Sequence, residues 1–458
     1  MIFSTATFLV FLAILLAAVA LARSEIQRRV LVFVASFVFY GWWDWRFCFF
    51  LIAASTIDYK LALLIQEAGT ARAKRRWLAL SVCSNLGMLA VFKYSAWLVR
   101  NFDAATGLAI PVPDIPLPLG ISFFTFQAMS YTIDVFRGQF NPTRRWFDFS
   151  FSMSFFPHLI SGPIVRASHF MPQLQAEHPL RRDQLLDGFA LFAKGFIKKT
   201  LFADQLAVCS DAVFADPSFY SSGTCWLGVA AYTLQIYYDF SGYTDMAIGL
   251  ARMFGFQFPQ NFNHPYLSTN ITEFWRRWHI SLSSWLRDYL YISLGGNRKG
   301  HARTYANLMI TMLLGGLWHG ANWTFVAWGG LHGGALAVHK FVLERAPEPG
   351  PIRRALGLPF TLVFVMVCWV FFRAPTFGIA WTVLTKMAFV DDAGCVWPYV
   401  QALAVIATAA VLHAVVATGR TVAFDFRRPI YLATLVTALC IDVMYSPATH
   451  SPFIYFQF

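Results

Sequence analysis

Apolar runs long enough to cross a bilayer alternate with short polar connections along this chain. They fall at 3–22, 28–45, 46–66, 77–98, 117–136, 188–210, 225–250, 303–321, 322–340, 356–373, 399–418 and 429–446, and a spanning helix needs roughly 17–25 residues. The pattern predicts an all-α, polytopic membrane protein of about 11–13 transmembrane helices, organised as one integral-membrane domain over residues 1–458. Two stretches break the alternation. Residues 147–163 are rich in Ser and interrupted by Pro157 and Pro163, so they read as a re-entrant hairpin, whose backbone requires shielding by protein or by a wet cavity. Residues 376–390 are surplus to the spans and are expected along the outer interface.

A different pattern runs from 273 to 289. Trp275, Trp278, Leu282, Trp285 and Tyr289 recur at three- and four-residue spacing, with Glu273, Arg276, Arg277, Arg287 and Asp288 on the remaining surface. This predicts one amphipathic helix at the cytoplasmic face, its tryptophans at the lipid boundary and His279 bordering its polar side.

Charge sets the orientation. Basic loops at 23–29, 72–76, 137–145, 252–303, 340–354 and 420–428 would be cytoplasmic, whereas 101–116 and 210–224 contain no Lys or Arg and would face outward. Both termini then come out external, and the first apolar run reads as a retained segment because it carries no positive n-region. Hydrophobic residues make up 57% and charged residues 13%, with mean hydropathy +0.52, against roughly 45–50% and about 25% in soluble domains. The 47 Phe, 17 Tyr and 16 Trp suggest rings lining lipid interfaces. A net charge of +12 does not indicate nucleic acid, because the basic residues lie in short clusters between apolar runs. The seven cysteines show no CxxC spacing, so neither a disulfide framework nor a metal site is expected.

One histidine sits inside an apolar stretch, in Leu313-Leu-Gly-Gly-Leu-Trp-His319-Gly-Ala-Asn-Trp, and a second follows the aromatic run Glu273-Phe-Trp-Arg-Arg-Trp-His279. An ionisable group at membrane depth is costly unless partnered, which makes it a functional candidate. Imidazole also exchanges protons near neutral pH. The plain alternative is a packing histidine bonded to a neighbouring carbonyl. That structural role is the expectation for His158, His332 and His413.

The run from Tyr238-Asp-Phe-Ser-Gly-Tyr through Pro259-Gln-Asn-Phe-Asn-His-Pro-Tyr266, Phe274-Trp-Arg-Arg-Trp-His-Ile-Ser-Leu and Leu294-Gly-Gly-Asn-Arg298 resembles the membrane-bound O-acyltransferase (MBOAT) family, in its alginate- and cellulose-acetylating branch. Leu117-Pro-Leu-Gly-Ile-Ser, Phe156-Pro-His-Leu-Ile-Ser-Gly-Pro163 and Gly195-Phe-Ile-Lys-Lys199 add to the likeness, which covers nearly the whole chain. The resemblance implies helices around a central cavity, His319 as the essential intramembrane histidine, and His279 as a second polar position occupied by His or Asn.

Such residues would support acyl transfer. A hydroxyl needs a base to take its proton as it attacks a thioester carbonyl, and neutral His319 suits that role. Backbone N–H groups of 315–320 or the Asn322 amide are candidate oxyanion donors. Arg276, Arg277, Arg287, Arg298 and Lys299 are candidate ligands for coenzyme A phosphates or an acidic carrier. They equally satisfy positive-inside and anionic-lipid contacts. Asp239, within a span, suggests a buried partner for Arg or His, and the pairs Gly315-Gly316 and Gly329-Gly330 suggest close helix approach. The resulting expectation is a bacterial inner-membrane enzyme with no permanently bound cofactor. It would move acetyl from acetyl-CoA or another cytoplasmic thioester to an exopolysaccharide hydroxyl or an extracytoplasmic acetyltransferase partner. D-alanyl transfer to teichoic acid and a proton-coupled transporter are the alternatives.

Overall fold

A computed structural model describes residues 1–418 except 177, 180, 346–349 and 397–399, and beyond 418 only 430, 431, 433, 434, 436, 437, 439 and 453. The expected span at 429–446 therefore lies outside the described residues apart from isolated positions. The chain divides into two compact units, Met1–Phe192 with Tyr243–Pro259, and Ala193–Gly242 with Gln260–Phe458.

The first unit begins with α1 (Ala6–Leu21), α2 (Glu25–Gly41), α3 (Arg46–Glu67), α4 (Ala71–Leu89) and α5 (Ser95–Thr106). Side-chain caps start three of these helices, α1, α2 and α4. Thr5 accepts from Phe8 N–H, Ser24 and Gln27 form a capping box, and Thr70 accepts from Ala73 N–H, each satisfying N–H groups that have no partner within the helix. Alpha4 and α5 are joined by a π-helical turn at Ala90–Tyr94, which makes one long helix of the span expected at 77–98. Length and composition alone identify Arg46–Glu67 and Ala71–Thr106, with Ala355–Arg373 of the second unit, as able to cross a membrane. Other helices carry buried polar residues that lower their hydropathy. Even α3, one of the three, buries a polar group: Asp58 accepts from Ser81 Oγ (2.6 Å) and Asn85 Nδ2 (2.9 Å).

The unit continues through α6 (Ile121–Phe136), α7 (Trp146–Ser154), α8 (Phe156–Leu159), α9 (Ala167–Leu174) and the start of α10 (Arg182–Ile197). The stretch expected as a re-entrant hairpin is α7, a break at Phe155, and α8. Its interior is buried in protein, and its polar groups are held by neighbours: Phe156 N–H donates to Ser36 Oγ (3.1 Å) and Gln127 Nε2 to the Ser152 carbonyl (2.9 Å). That shielding is what a broken helix at membrane depth requires. The aromatic residues are less interfacial than their number suggested. Phe3, Phe8, Phe39 and Phe156 form one buried cluster, and Phe151, Phe155, Phe170 and Phe256 another. Trp42, Trp43 and Trp45, by contrast, are exposed at the α2–α3 turn, as boundary tryptophans are.

The second unit contains the end of α10, a π-helical segment at Lys198–Ala203, α11 (Asp204–Ala215) and the first two-thirds of α12 (Ser222–Met253). It continues with α13 (Ile271–Arg277), α14 (Ile280–Trp285), α15 (His301–His319), α16 (Trp323–Arg345), α17 (Pro351–Arg373), α18 (Phe377–Met387) and α19 (Val400–Ala417). The surplus segment at 376–390 is α18, with Phe377 and Trp381 exposed and Ala380, Val383 and Lys386 buried. Asp239 finds a lysine where Arg or His was expected: Lys199 Nζ lies 3.0 Å from Asp239 and 2.8 Å from Asp204, all three buried.

Alpha15 and α16 pack as an antiparallel hairpin whose backbones touch. A Cβ on Gly316 would overlap the Phe325 carbonyl oxygen, and one on Gly329 would overlap the Met312 carbonyl oxygen. Gly329→Ala is therefore expected to lower stability by about 1–3 kcal/mol through overpacking, read as a drop in the thermal midpoint of the purified protein. Gly350→Ala, where a Cβ meets open space, should leave that midpoint unchanged.

Candidate active site

Both candidate histidines lie in the second unit, at helix ends. His319 is the last residue of α15 and is 5% exposed. Its ring sits among three others at near-perpendicular angles: Trp318 at 5.0 Å, Trp328 at 5.2 Å and Phe372 at 5.1 Å between centroids. The Gly320 backbone after it is extended (φ −163°, ψ 151°), so the helix stops at the histidine.

The expected single helix over 273–289 is broken at His279. Alpha13 ends at Arg277, Trp278 is extended, and His279 adopts φ +43° and ψ 56° before α14 begins. This left-handed region is uncommon for residues other than Gly, although Asn, Asp and His are enriched in it, and a residue held there is fixed by its surrounding contacts. The 261–263 segment supplies those contacts. Asn263 N–H donates to the Arg277 carbonyl and Ile280 N–H to the Asn261 carbonyl, both at 2.9 Å. The turn buries His279 completely and also buries Trp278, Leu282, Trp285 and Tyr289, which corrects the placing of Trp278 and Trp285 at a lipid boundary. The periodic apolar face is real, but it faces protein.

The hydrogen bonds of Asn261 assign the His279 tautomer. Asn261 Oδ1 accepts from Ser281 N–H (3.1 Å) and Ser281 Oγ (2.8 Å), so its third neighbour, His279 Nδ1 at 3.2 Å, is a donor. In the neutral ring the lone pair then lies on Nε2. Phe240 packs edge-on against the same ring at 4.6 Å. The Trp318 ring lies 6.4 Å from His279 and 5.0 Å from His319, so one indole is flanked by both imidazoles. Asn261, Trp318 and Phe372 carry this geometry and were not singled out in the sequence. Asn261 lies within the recognised Pro-Gln-Asn-Phe-Asn motif, which was the available signal.

A groove of about 520 Å³ opens beside these elements, within the range of small-molecule sites. Arg276, Arg287 and Lys340 line it with Ser283, Ser284, Tyr291 and Asn297, and its apolar wall includes Trp275, Ile280, Leu286 and Met312. Ile280 adjoins His279, and Met312 lies on the helix that ends at His319. Two of the five basic candidates, Arg276 and Arg287, thus border the groove, and Lys340 joins them. Arg287 is also paired with Asp288 (2.6 Å). Arg277 is paired with Glu273 (2.6 Å) away from the lining, and Arg298 and Lys299 are exposed on the neighbouring turn at 294–299.

The oxyanion candidates fare differently. The N–H groups of residues 315–319 lie inside α15, where helical bonding occupies them. The Asn322 amide donates to the Pro375 carbonyl (2.9 Å) while its Oδ1 accepts from Thr324 N–H (3.1 Å), so it serves as a helix cap. His332 is buried with Nδ1 accepting from Trp275 Nε1 (3.2 Å), and His413 Nδ1 donates to its own helix at Ala409 O (2.8 Å). His158 lies in the first unit among the rings of Phe155, Phe170 and Phe258.

Fold and site together define a multi-pass membrane protein that keeps ionisable groups in an aromatic interior, beside a groove with a basic rim. The chain belongs to the membrane-bound O-acyltransferase family, whose pattern matches residues 148–384, and it is an O-acyltransferase. It is 46% identical over 402 residues to a protein of Azotobacter vinelandii named "Probable alginate O-acetylase AlgI", a match covering 86% of this chain and 79% of that one. A peptidoglycan O-acetyltransferase of Helicobacter pylori is 36% identical over 395 residues, 80% of this chain and 75% of its own length. A teichoic acid D-alanyltransferase of Streptococcus thermophilus is 31% identical over 255 residues, covering 52% and 61%.

Proposed function

We propose that this enzyme acetylates an extracytoplasmic polysaccharide of the alginate type from the inner membrane of a bacterium, taking acetyl from a cytoplasmic thioester, acetyl-CoA. The observation that carries the reading is the pair of buried histidines flanking Trp318, with the basic groove against the elements that bear them. The polyanionic donor cannot cross lipid, so its phosphates stay at Arg276, Arg287 and Lys340. Its acyl end extends along the apolar wall past Ile280 and Met312. Neutral His319 takes the proton of the acceptor hydroxyl as the oxygen attacks the thioester carbonyl. The C–S bond then breaks, and the departing thiolate receives that proton, giving an ester and a free thiol. The acceptor is the polysaccharide hydroxyl itself or a hydroxyl of an extracytoplasmic acetyltransferase that passes the group on. Identity to the O-acetylating relatives extends over most of the chain, whereas the D-alanyl relative matches about half of it, which favours acetyl.

Purified enzyme supplied with radiolabelled acetyl-CoA and alginate oligosaccharide should form labelled ester. Label released only as free acetate, with and without the other proteins of the same operon, would remove the proposed acceptor. Reversing charge at Arg276 and Lys340 to Glu should raise the apparent KM for acetyl-CoA about tenfold or more and leave kcat within a few-fold, because the lost contacts lie far from the reacting carbonyl. An unchanged KM in a well-folded double variant would take these residues out of the donor site.

A further inference from the structure

Leu286 stands between the basic groove and His319. It opens a π-helical segment, Leu286–Tyr291, that follows α14 directly, and it lines the groove although it is only 5% exposed. Its Cδ1 methyl leans over Gly315 of α15: a Cβ on that glycine would come within 3.2 Å of it. The missing side chain at 315 thus leaves the space that the leucine occupies. On α15 the groove wall is Leu308, Thr311 and Met312, which share one helix face by their three- and four-residue spacing. Gly315 and His319, both buried, continue the same face. At a rise of about 1.5 Å per residue, Gly315 lies about 4.5 Å past Met312, and His319 about 6 Å beyond Gly315. A group moving along this wall toward the imidazole meets Leu286 one turn before it arrives.

We propose that Leu286, seated against Gly315, is a specificity-determining constriction that passes unbranched acyl groups and excludes those branched at the carbon next to the carbonyl. The inference rests on the assignment of this groove to the thioester donor and deepens it by naming the class of acyl group. An acetyl group presents a single methyl ahead of the carbonyl and is the narrowest acyl group with a carbon substituent. A D-alanyl or isobutyryl group carries two substituents on that carbon, and the added width falls where the leucine side chain meets the α15 backbone. Close packing makes this discrimination effective, because one extra methylene in an apolar pocket shifts turnover by about 10- to 200-fold. Leu286 has little room to withdraw. Its other neighbours hold it in a buried position, and Gly315, the residue beneath it, belongs to a regular helical turn.

The test is the ratio of kcat/KM for isobutyryl-CoA to that for acetyl-CoA, measured with the full-length enzyme and alginate oligosaccharide alongside the thermal midpoint. The unaltered chain should favour acetyl by about tenfold or more. Leu286→Ala should raise the isobutyryl-to-acetyl ratio by about tenfold or more, and Leu286→Val should raise it less, which keeps the test open if the alanine variant does not fold. Gly315→Ala drives the leucine into the passage and should lower acetyl transfer by about tenfold; the double variant Leu286→Ala/Gly315→Ala should recover it, because the new methyl takes up vacated space. Leu308→Ala, about 16 Å from His319 along the same wall, should shift both thioesters in proportion. A leucine that only packs predicts that Leu286→Ala and Leu286→Val lower both thioesters in proportion with the midpoint, and that unchanged ratio overturns the constriction alone. Failure of the unaltered chain to turn over either thioester is a different result: it removes the donor assignment, and the constriction with it.

Discussion

His319→Gln is expected to lose acetyl transfer by on the order of 10²–10⁴-fold, the range for removal of a general base, while the protein still extracts as a monodisperse species. Glutamine keeps hydrogen-bonding capacity and approximate volume inside the cage of Trp318, Trp328 and Phe372, but its amide nitrogen cannot accept a proton. His319→Ala should be as inactive and somewhat less stable, because three rings lose the group they pack against. A histidine that only packs predicts the reverse pairing, with Gln active and Ala failing in stability and activity together. Acetyl transfer and thermal midpoint measured on both variants decide between them, and a stable, active His319→Gln enzyme removes the base from the mechanism. Loss of kcat with donor KM little changed is the expected kinetic form, since the proton moves only in the transition state.

The second large effect is expected at His279. Its Nδ1 donates to Asn261, so Nε2 presents a lone pair in a fully buried position, suited to accept a hydrogen bond from donor or acceptor substrate. His279→Leu removes that acceptor and leaves a buried substrate N–H or O–H without a partner. The cost is about 1–3 kcal/mol, or roughly 5- to 150-fold in kcat/KM. His279→Asn should lose much less, for two separate reasons. Asparagine tolerates the left-handed backbone observed at φ +43°, and its amide oxygen is also an acceptor. Asn261→Leu should fall between the two, because it releases both the tautomer and the turn. Equal inactivity of His279→Asn and His279→Leu, both folded, would show that the position requires an imidazole and would assign it a proton-transfer role.

Long apolar runs made much of the helical architecture legible in advance. Most of the described spans fall on or within helices, since a run of some twenty apolar residues admits few other conformations in lipid. The re-entrant stretch was visible because Pro157 and the serines contradict a span, and the glycine pairs were visible because only glycine permits the contact of Gly316 with Gly329. His319 and His279 were legible as exceptions: ionisable residues in apolar surroundings, set in recognisable motifs. Their neighbours were not. Asn261 lies eighteen positions before His279 and Phe372 more than fifty after His319, and nothing in local spacing connects them.

What the sequence by itself determined was composition-driven: an all-helical membrane chain, its basic loops, and which residues were out of place chemically. What only the tertiary structure decided was which of those residues meet. The 273–289 segment has perfect amphipathic spacing, yet backbone bonds from 261–263 break it at His279 and turn its tryptophans inward, because long-range hydrogen bonds outweigh a propensity worth a fraction of a kcal/mol per residue. The basic residues were equivalent in sequence, all cationic and all near one face. Packing of α13, α14, α15 and α16 put Arg276, Arg287 and Lys340 on a groove, locked Arg277 to Glu273, and left Arg298 and Lys299 exposed. Periodicity records which face of an element is apolar, but not which partner covers it, and a site is made by the partner.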